Sequence, residues 1–502
     1  MKHLQFLCLI ILLISISCRP SNDIEKLSTS TTSTTTRTPL SRSEIDSKIE
    51  RSITETGNFH WIDTDALTIW SASYYGNQYV TIGYGTSKND FKRGANSDRN
   101  KSDIISIVGI NENTSKKDFL LYEDEYLNFI DVKIQNLSTI EMLLKNKEVR
   151  YIEPSQYVYK SEQQQSQKSS LSGFGCGYES SAVNSADQIT VAPNAKVPWN
   201  FYKHNIPAAW NYSTGKNVGI AIIDTGISPN QSLMNSAFNN GYSTNRTVQK
   251  FGTYVNSIWP WVTTTDGVND LCGHGSAMTS LATSPRNDKG YSVGVAYGAN
   301  LISYRGTSDV MLESYQDQRG VSKALTAAGN RTDVKIISMS IGYLFSIGSV
   351  EDAVKYAYSK GKLIIAAGGT STELTNNWVG VIFPANMPEV VAATGIKDLS
   401  TYEQCSDCHK GSEIDFTVVM QRSTDNNRTV PVLSYYDQQS DYVGGSSAAT
   451  AITSGIAALV WSRFPTYNRD QVLEKMKKAS QFYSSKNSNY GYGKIDVLKA
   501  VQ

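Results

Sequence analysis

Four short, nearly unbroken apolar runs constrain this chain most: Val218 to Ile223, Lys335 to Met339, Lys362 to Ala367 and Val390 to Ala393. Runs of this kind belong to strands buried on both faces of a parallel sheet. Helical segments alternate with them to the C-terminus. The order predicts a doubly wound, mostly parallel α/β domain, whose ligands bind beyond the carboxyl ends of its strands. At 502 residues the chain exceeds the size at which a single core stops growing, so a second folding unit is expected.

The N-terminal part has a different character. Lys2 precedes an apolar run from Leu4 to Ile16, then Ser17 and Cys18. This is a secretory signal, too short to span a bilayer comfortably. Its small-residue-then-cysteine ending resembles a bacterial lipoprotein cleavage box, with Cys18 lipidated, although Ser15 stands where such boxes carry leucine. Plain secretion or an uncleaved anchor is the alternative. Residues 19–43 include the Ser/Thr tract from Ser28 to Ser43, too poor in apolar groups to order itself and read as a tether.

From about Glu44 to Lys160 the pattern is one of short apolar alternations, at Tyr79 to Tyr84, Ile104 to Val108 and Tyr126 to Ile134. Ser138-Thr139-Ile140-Glu141 has the form of a capping box opening a helix through Ile140, Leu143 and Leu144, and a strand from Val149 to Ile152 follows. Together they give a β-α-β unit of a small α+β domain. Residues 161–175 begin polar and without periodicity, marking a boundary and an accessible cleavage region. The net charge of +1 offers no electrostatic reason to expect nucleic acid. Besides Cys8 and Cys18 there are Cys176, Cys272, Cys405 and Cys408. An even number in an oxidising compartment reads as two disulfides, with three pairings open.

Three segments carry chemistry. The run ending at Ile223 leads into Asp224-Thr225-Gly226, a carboxylate at a strand's carboxyl end with a glycine turn after it. By itself this is equally a turn aspartate, and the same tripeptide occurs in unrelated aspartic proteases. Gly273-His274-Gly275-Ser276 places one of only five histidines between glycines, where backbone can approach the imidazole closely. Gly444-Gly445-Ser446-Ser447 directly precedes a helix. A serine there is ordinarily an N-cap, but the position also supplies backbone N–H groups to a developing oxyanion.

In the order Asp224, His274, Ser447, and together with Ser338 to Gly342, Gly445 to Ala449 and Tyr492 to Asp496, these segments resemble the subtilisin-like serine peptidases from about Trp210 to Gln502. The resemblance implies a peptidase domain over 176–502, with Ser447 as nucleophile, His274 as general base and acid, and Asp224 orienting the imidazole. It implies that Ser340, Ile341 and Gly342 pair with substrate backbone. The segment over 44–160 is similar to the family's ferredoxin-like inhibitory prodomain, removed by cleavage in 161–175. Substrates would then be proteins or peptides and the prodomain a partner. The lipid on Cys18 would hold the exported enzyme at a membrane of a bacterial cell envelope.

The family supplies an oxyanion-hole asparagine after a strand-end Ala-Ala-Gly, but this chain has Ala366-Ala367-Gly368-Gly369-Thr370. Two placements are open, with Gly369 or with Thr370 at that site; counting on nine residues from Gly361 favours Thr370, beside the Ser447 backbone N–H. Asn376 or Asn377 are the other possible donors. Ala451 replaces the family's proline after the serine. Cys405-Ser406-Asp407-Cys408-His409 matches a c-type haem attachment pattern, but within the resemblance it reads as a small disulfide loop, with Cys176 and Cys272 as the second bridge. Neither a cofactor nor a metal ligand set is read from the sequence, and structural calcium is left open. A catalytically impaired, peptide-binding member of the family is the rival reading.

Overall fold

The computed structural model describes residues 38–160, 176–178, 180–259, 261–370 and 380–502. The signal, Cys18, most of the tether, the cleavage region 161–175 and Asn376 and Asn377 lie outside the described residues. Everything from Pro39 onward belongs to one unit.

The N-terminal part is built on strands β1 (Tyr79–Tyr84), β2 (Leu120–Glu123), β3 (Phe129–Lys133) and β4 (Val149–Pro154), in the sheet order β2-β3-β1-β4. β1 runs antiparallel to both β3 and β4. Its first helix, Arg42–Thr56, starts slightly inside the expected tether. Ser41 and Glu44 form a reciprocal capping box there, stopping the helix from fraying. Two local expectations are corrected. Ile104 to Val108 belongs to the helix Ser97–Glu112, whose buried Asn100, Ile104 and Val108 recur every four residues and so share one face. The capping box expected at Ser138 does not form, because the helix Leu137–Lys145 already starts at Asn136. Glu112 caps it from afar, accepting from Gln135 N (2.9 Å), Asn136 N (3.1 Å) and Thr139 Oγ1 (2.5 Å).

Beyond an antiparallel pair, β5 (Gln188–Val191) and β6 (Ala195–Pro198), come β7 (Gly219–Asp224), β8 (Val248–Gly252), β9 (Asn300–Arg305), β10 (Val334–Met339), β11 (Leu363–Ala367), β12 (Val390–Lys397) and β13 (Ile414–Gln421). These seven form one sheet in the order β13-β12-β11-β10-β7-β9-β8, with every pair parallel. The four apolar runs are its adjacent strands β12, β11, β10 and β7. Period-two alternation, with both faces covered, explains why they are apolar almost throughout. Ala221, Ile223, Ile337, Met339, Ile364 and Ala366 pack into one core, which they share with the helices Tyr315–Asn330 and Gly348–Ser359 and the N-terminal part. Ile220, Ile222, Ile336 and Ile365 point to the opposite core, formed with the helices His274–Thr283 and Gly445–Arg463. A last antiparallel pair, β14 (Val430–Leu433) and β15 (Ser440–Val443), leads straight into that final helix.

The N-terminal sheet is clamped to the helix Gly348–Ser359. Arg150 makes a bidentate ion pair with Asp352 (2.8 and 2.5 Å), and Glu153 Oε1 accepts from the Gly348 N–H at the start of that helix (2.8 Å). Among the described residues no helix is long and apolar enough to cross a membrane.

Candidate active site

The carboxyl ends of β7, β10 and β11 and the starts of two helices meet in one cleft of about 640 Å³, lined among others by His274, Ser340, Gly342, Thr370 and Ser447. Asp224 is the last residue of β7 and is buried, as is His274, the first residue of its helix. Asp224 Oδ1 lies 2.8 Å from His274 Nδ1 and also accepts from the Thr225 N–H at 2.8 Å. That contact places the proton on Nδ1 and leaves Nε2 as the basic nitrogen. Burial works against the charged imidazolium, but the Asp224 carboxylate, helped by Asp270 and Asp309, outweighs it and holds His274 above its ordinary range.

One residue essential to this geometry escaped the sequence reading. Asp270 is fully buried and accepts from Cys272 N (2.8 Å), Gly273 N (2.8 Å), Ser276 N (2.9 Å), Ser276 Oγ (2.6 Å) and Thr225 Oγ1 (2.8 Å). A carboxylate at a helix N-terminus is favoured by the free N–H groups there. It ties the turn before His274 to the turn after Asp224, so the two side chains cannot drift apart independently. Gly273 takes φ +97°, and a Cβ on it would stand 2.1 Å from the Gly177 carbonyl, so glycine is required.

Ser447 lies in the first turn of the helix Gly445–Arg463 rather than ahead of it, and Ala451 continues that helix unbroken. Its hydroxyl donates to the Ser340 carbonyl (3.3 Å) rather than to His274, while Ser340 Oγ donates to the Ser447 carbonyl (2.9 Å).

Thr370 Oγ1 accepts from the Ser446 N–H (3.2 Å) and lies 3.0 Å from Ser446 Oγ, which in turn accepts from the Gly369 N–H (3.2 Å). Ser446 Oγ, having accepted from Gly369, keeps a proton and a second lone pair, so either hydroxyl can donate in its contact with Thr370. When Ser446 donates, both Thr370 lone pairs are used and its hydroxyl proton is free to point into the cleft. His409 backs the same strand end, its N–H donating to the Gly369 carbonyl (2.9 Å). Cys405 is bonded to Cys408 and Cys176 to Cys272.

The edge expected to receive substrate is already occupied. Gly342 donates to the Val310 carbonyl and accepts from the Leu312 N–H, both at 3.0 Å. Ser340 and Ile341 stand in the cleft, but a peptide strand pairing with Gly342 must first displace the 310–312 segment. Among the described residues no cluster of three or more His, Cys, Asp or Glu side chains is placed to hold a metal.

A parallel α/β sheet with a carboxylate, an imidazole and a hydroxyl gathered at its carboxyl edge defines the class of α/β hydrolytic enzymes with a serine centre. Within that class the chain belongs to the subtilase family, a family of serine endopeptidases, whose model matches residues 215–493. It is 28% identical over 306 residues to the minor extracellular protease Epr of Bacillus subtilis, covering 59% of this chain and 40% of that protein. With subtilisin E of Bacillus subtilis it shares 27% identity over 319 residues, 63% of this chain and 74% of that one. Among solved structures, fervidolysin from Fervidobacterium pennivorans, described as a keratinolytic enzyme related to subtilisin, has the same fold. Its TM-score is 0.58 at 15% identity, covering 85% of this chain and 61% of that one.

Proposed function

We propose that this chain is an exported serine endopeptidase that cleaves peptide bonds through an acyl-enzyme on Ser447. The observation that carries the reading is the 2.8 Å contact of buried Asp224 with His274, in the cleft that also presents Ser447 from a helix N-terminus. A serine hydroxyl is a poor nucleophile at neutral pH unless a base takes its proton as it attacks. His274 Nε2 accepts that proton and returns it to the leaving amine. Asp224 keeps the second ring nitrogen protonated and stabilises the imidazolium. The tetrahedral oxyanion is held by the Ser447 backbone N–H and the Thr370 hydroxyl. Water then repeats the sequence on the ester, and Ser447 is regenerated.

The N-terminal domain, residues 44–160, acts as inhibitory prodomain until it is cut away in 161–175. Its β-α-β-β-α-β order, strand order β2-β3-β1-β4 and the Arg150–Asp352 clamp support a ferredoxin-like domain docked on the enzyme. The signal and a lipid on Cys18 would hold the enzyme at the cell envelope. The rival reading, a peptide-binding protein that does not cut, draws on the occupied Gly342 edge and on the Ser447 hydroxyl turned to Ser340.

Substitution separates the two. Ser447→Ala, His274→Ala and Asp224→Ala are each expected to abolish most proteolysis, with losses that do not add because the three act as one unit. Ser447→Ala is expected to accumulate as uncut precursor. Wild-type turnover in Ser447→Ala would establish the non-catalytic reading of that serine.

A further inference from the structure

The described residues 176–178 and 180–184 do not belong to the sheet, and the contacts that follow lie on one side of the cleft. Cys176 is bonded to Cys272, and the Gly177 N–H donates to the Cys272 carbonyl at 2.7 Å. The Tyr178 hydroxyl donates to the Leu271 carbonyl at 2.5 Å, and its ring lies 4.3 Å from that of Tyr435. The Tyr435 hydroxyl is tied back to the Asp270 carbonyl at 2.9 Å. Further along, Ser181 N bonds the Ser440 carbonyl at 3.1 Å, Ser181 Oγ bonds Asp441 at 2.5 Å, and Asn184 N bonds the Tyr442 hydroxyl at 2.9 Å. The segment is therefore a strap from the turn before His274 to the β14–β15 hairpin. Cys176, Gly177, Tyr435 and Tyr442 line the cleft.

None of these contacts reaches the wall formed by Ser340 to Gly342, where the acyl part of a substrate would lie. The hairpin instead runs directly into Gly444 to Ser447, and the strapped turn runs directly into His274, the group that protonates the departing amine. We propose that the strap and Tyr435 form the subsite for the leaving side of the substrate, favouring an aromatic or aliphatic residue immediately after the cleaved bond. The Cys176–Cys272 bridge holds this wall in place. This rests on Ser447 acting as the nucleophile. The chemistry of the wall sets the preference. The hydroxyls of Tyr178 and Tyr435 are engaged with backbone carbonyls, which leaves Tyr435 to present ring and the bridge to present sulfur. An apolar side chain is desolvated there at little polar cost.

Acyl transfer reads this site separately from acylation. A p-nitrophenyl ester of a short blocked peptide loads Ser447 and releases nitrophenol. An added amino-acid amide then competes with water: its nitrogen attacks the acyl carbon, the bond to Ser447 Oγ breaks, and the amine's proton passes through His274 to that oxygen. The ratio of peptide to acid formed is taken within one enzyme preparation, so loss of overall rate does not enter it. Leucine amide is expected to capture the acyl group at ~10-fold lower concentration than glycine amide, the gain for partly burying an isobutyl group. Tyr435→Ala and the double variant Cys176→Ser/Cys272→Ser are expected to bring that preference below about twofold, while Tyr435→Phe, which keeps the ring, retains it. Equal capture of the two amides by the unsubstituted enzyme, or full preference in both disruptive variants, overturns the proposal. Absence of nitrophenol release from the unsubstituted enzyme overturns the serine-nucleophile reading itself, and the subsite falls with it.

Discussion

Thr370→Val keeps the shape of the side chain and deletes one hydroxyl at the proposed oxyanion hole. In the structure that oxygen accepts from Ser446 N at 3.2 Å and sits 3.0 Å from Ser446 Oγ; with Ser446 donating in that contact, the Thr370 proton is free to stabilise charge in the cleft. Loss of one such donor costs about 100- to 1000-fold in turnover, roughly 3 to 4 kcal/mol. Because the oxyanion exists only in the transition state, the loss falls on kcat with little change in KM. The substitution also strips buried Ser446 of a partner, so a stability loss of about 1–3 kcal/mol is expected alongside. Steady-state hydrolysis of a peptide anilide, run well below the variant's melting temperature, separates the two effects. Thr370→Ser, which restores the hydroxyl, is expected to recover most of kcat. A Thr370→Val enzyme that folds and turns over within about threefold of the parent refutes the assignment, leaving the Ser447 N–H to act without Thr370.

Three further outcomes follow from the geometry. Displacing the 310–312 segment from Gly342 must precede substrate pairing, so onset of inhibition by a peptide aldehyde is expected to saturate with its concentration in stopped-flow traces; a strictly linear dependence removes the gating step. Breaking one partner of the buried Arg150–Asp352 pair costs about 3 kcal/mol, so an Arg150→Ala prodomain added in trans is expected to inhibit about 100-fold more weakly, and an unchanged inhibition constant would place the prodomain's affinity elsewhere. His274 must be neutral to accept a proton, so activity rises with pH through its pKa, which Asp224 holds above the ordinary value. In Asp224→Asn the raising charge is gone, and the acid limb of the residual kcat/KM profile is expected at lower pH; a limb that stays in place shows that another group sets it.

What was legible in the sequence depended on how local each signal is. β7, β10, β11 and β12 could be found because a strand covered on both faces has few polar positions, and each of the four announces itself within six or so residues. Asp224, His274 and Ser447 stood out because each sits at an element's end among glycines, where close backbone approach demands them. Asp270 was missed although four of its five hydrogen bonds come from Cys272, Gly273 and Ser276 just after it, the local pattern of a carboxylate capping a helix start; only its tie to Thr225, 45 residues away, is set by tertiary structure. The occupied edge at Gly342 was invisible because its partners, Val310 and Leu312, are set by tertiary register. Ser138 misled in the opposite way, offering a good local cap that Glu112, from another helix, made unnecessary. Ile104 to Val108 was read as an extended run although Asn100, Ile104 and Val108 carry the four-residue spacing of a helix.

Activation of Ser447 by His274 is read out by labelling the folded protein with a fluorophosphonate and mapping the adduct by mass spectrometry. The reagent forms a phosphorus–oxygen bond only with a serine whose proton is removed as it attacks, and fluoride leaves. Stoichiometric phosphonylation of Ser447 is expected, abolished in Ser447→Ala and slowed by orders of magnitude in His274→Ala. Labelling that goes to another residue, or that proceeds at Ser447 equally well without His274, would contradict it.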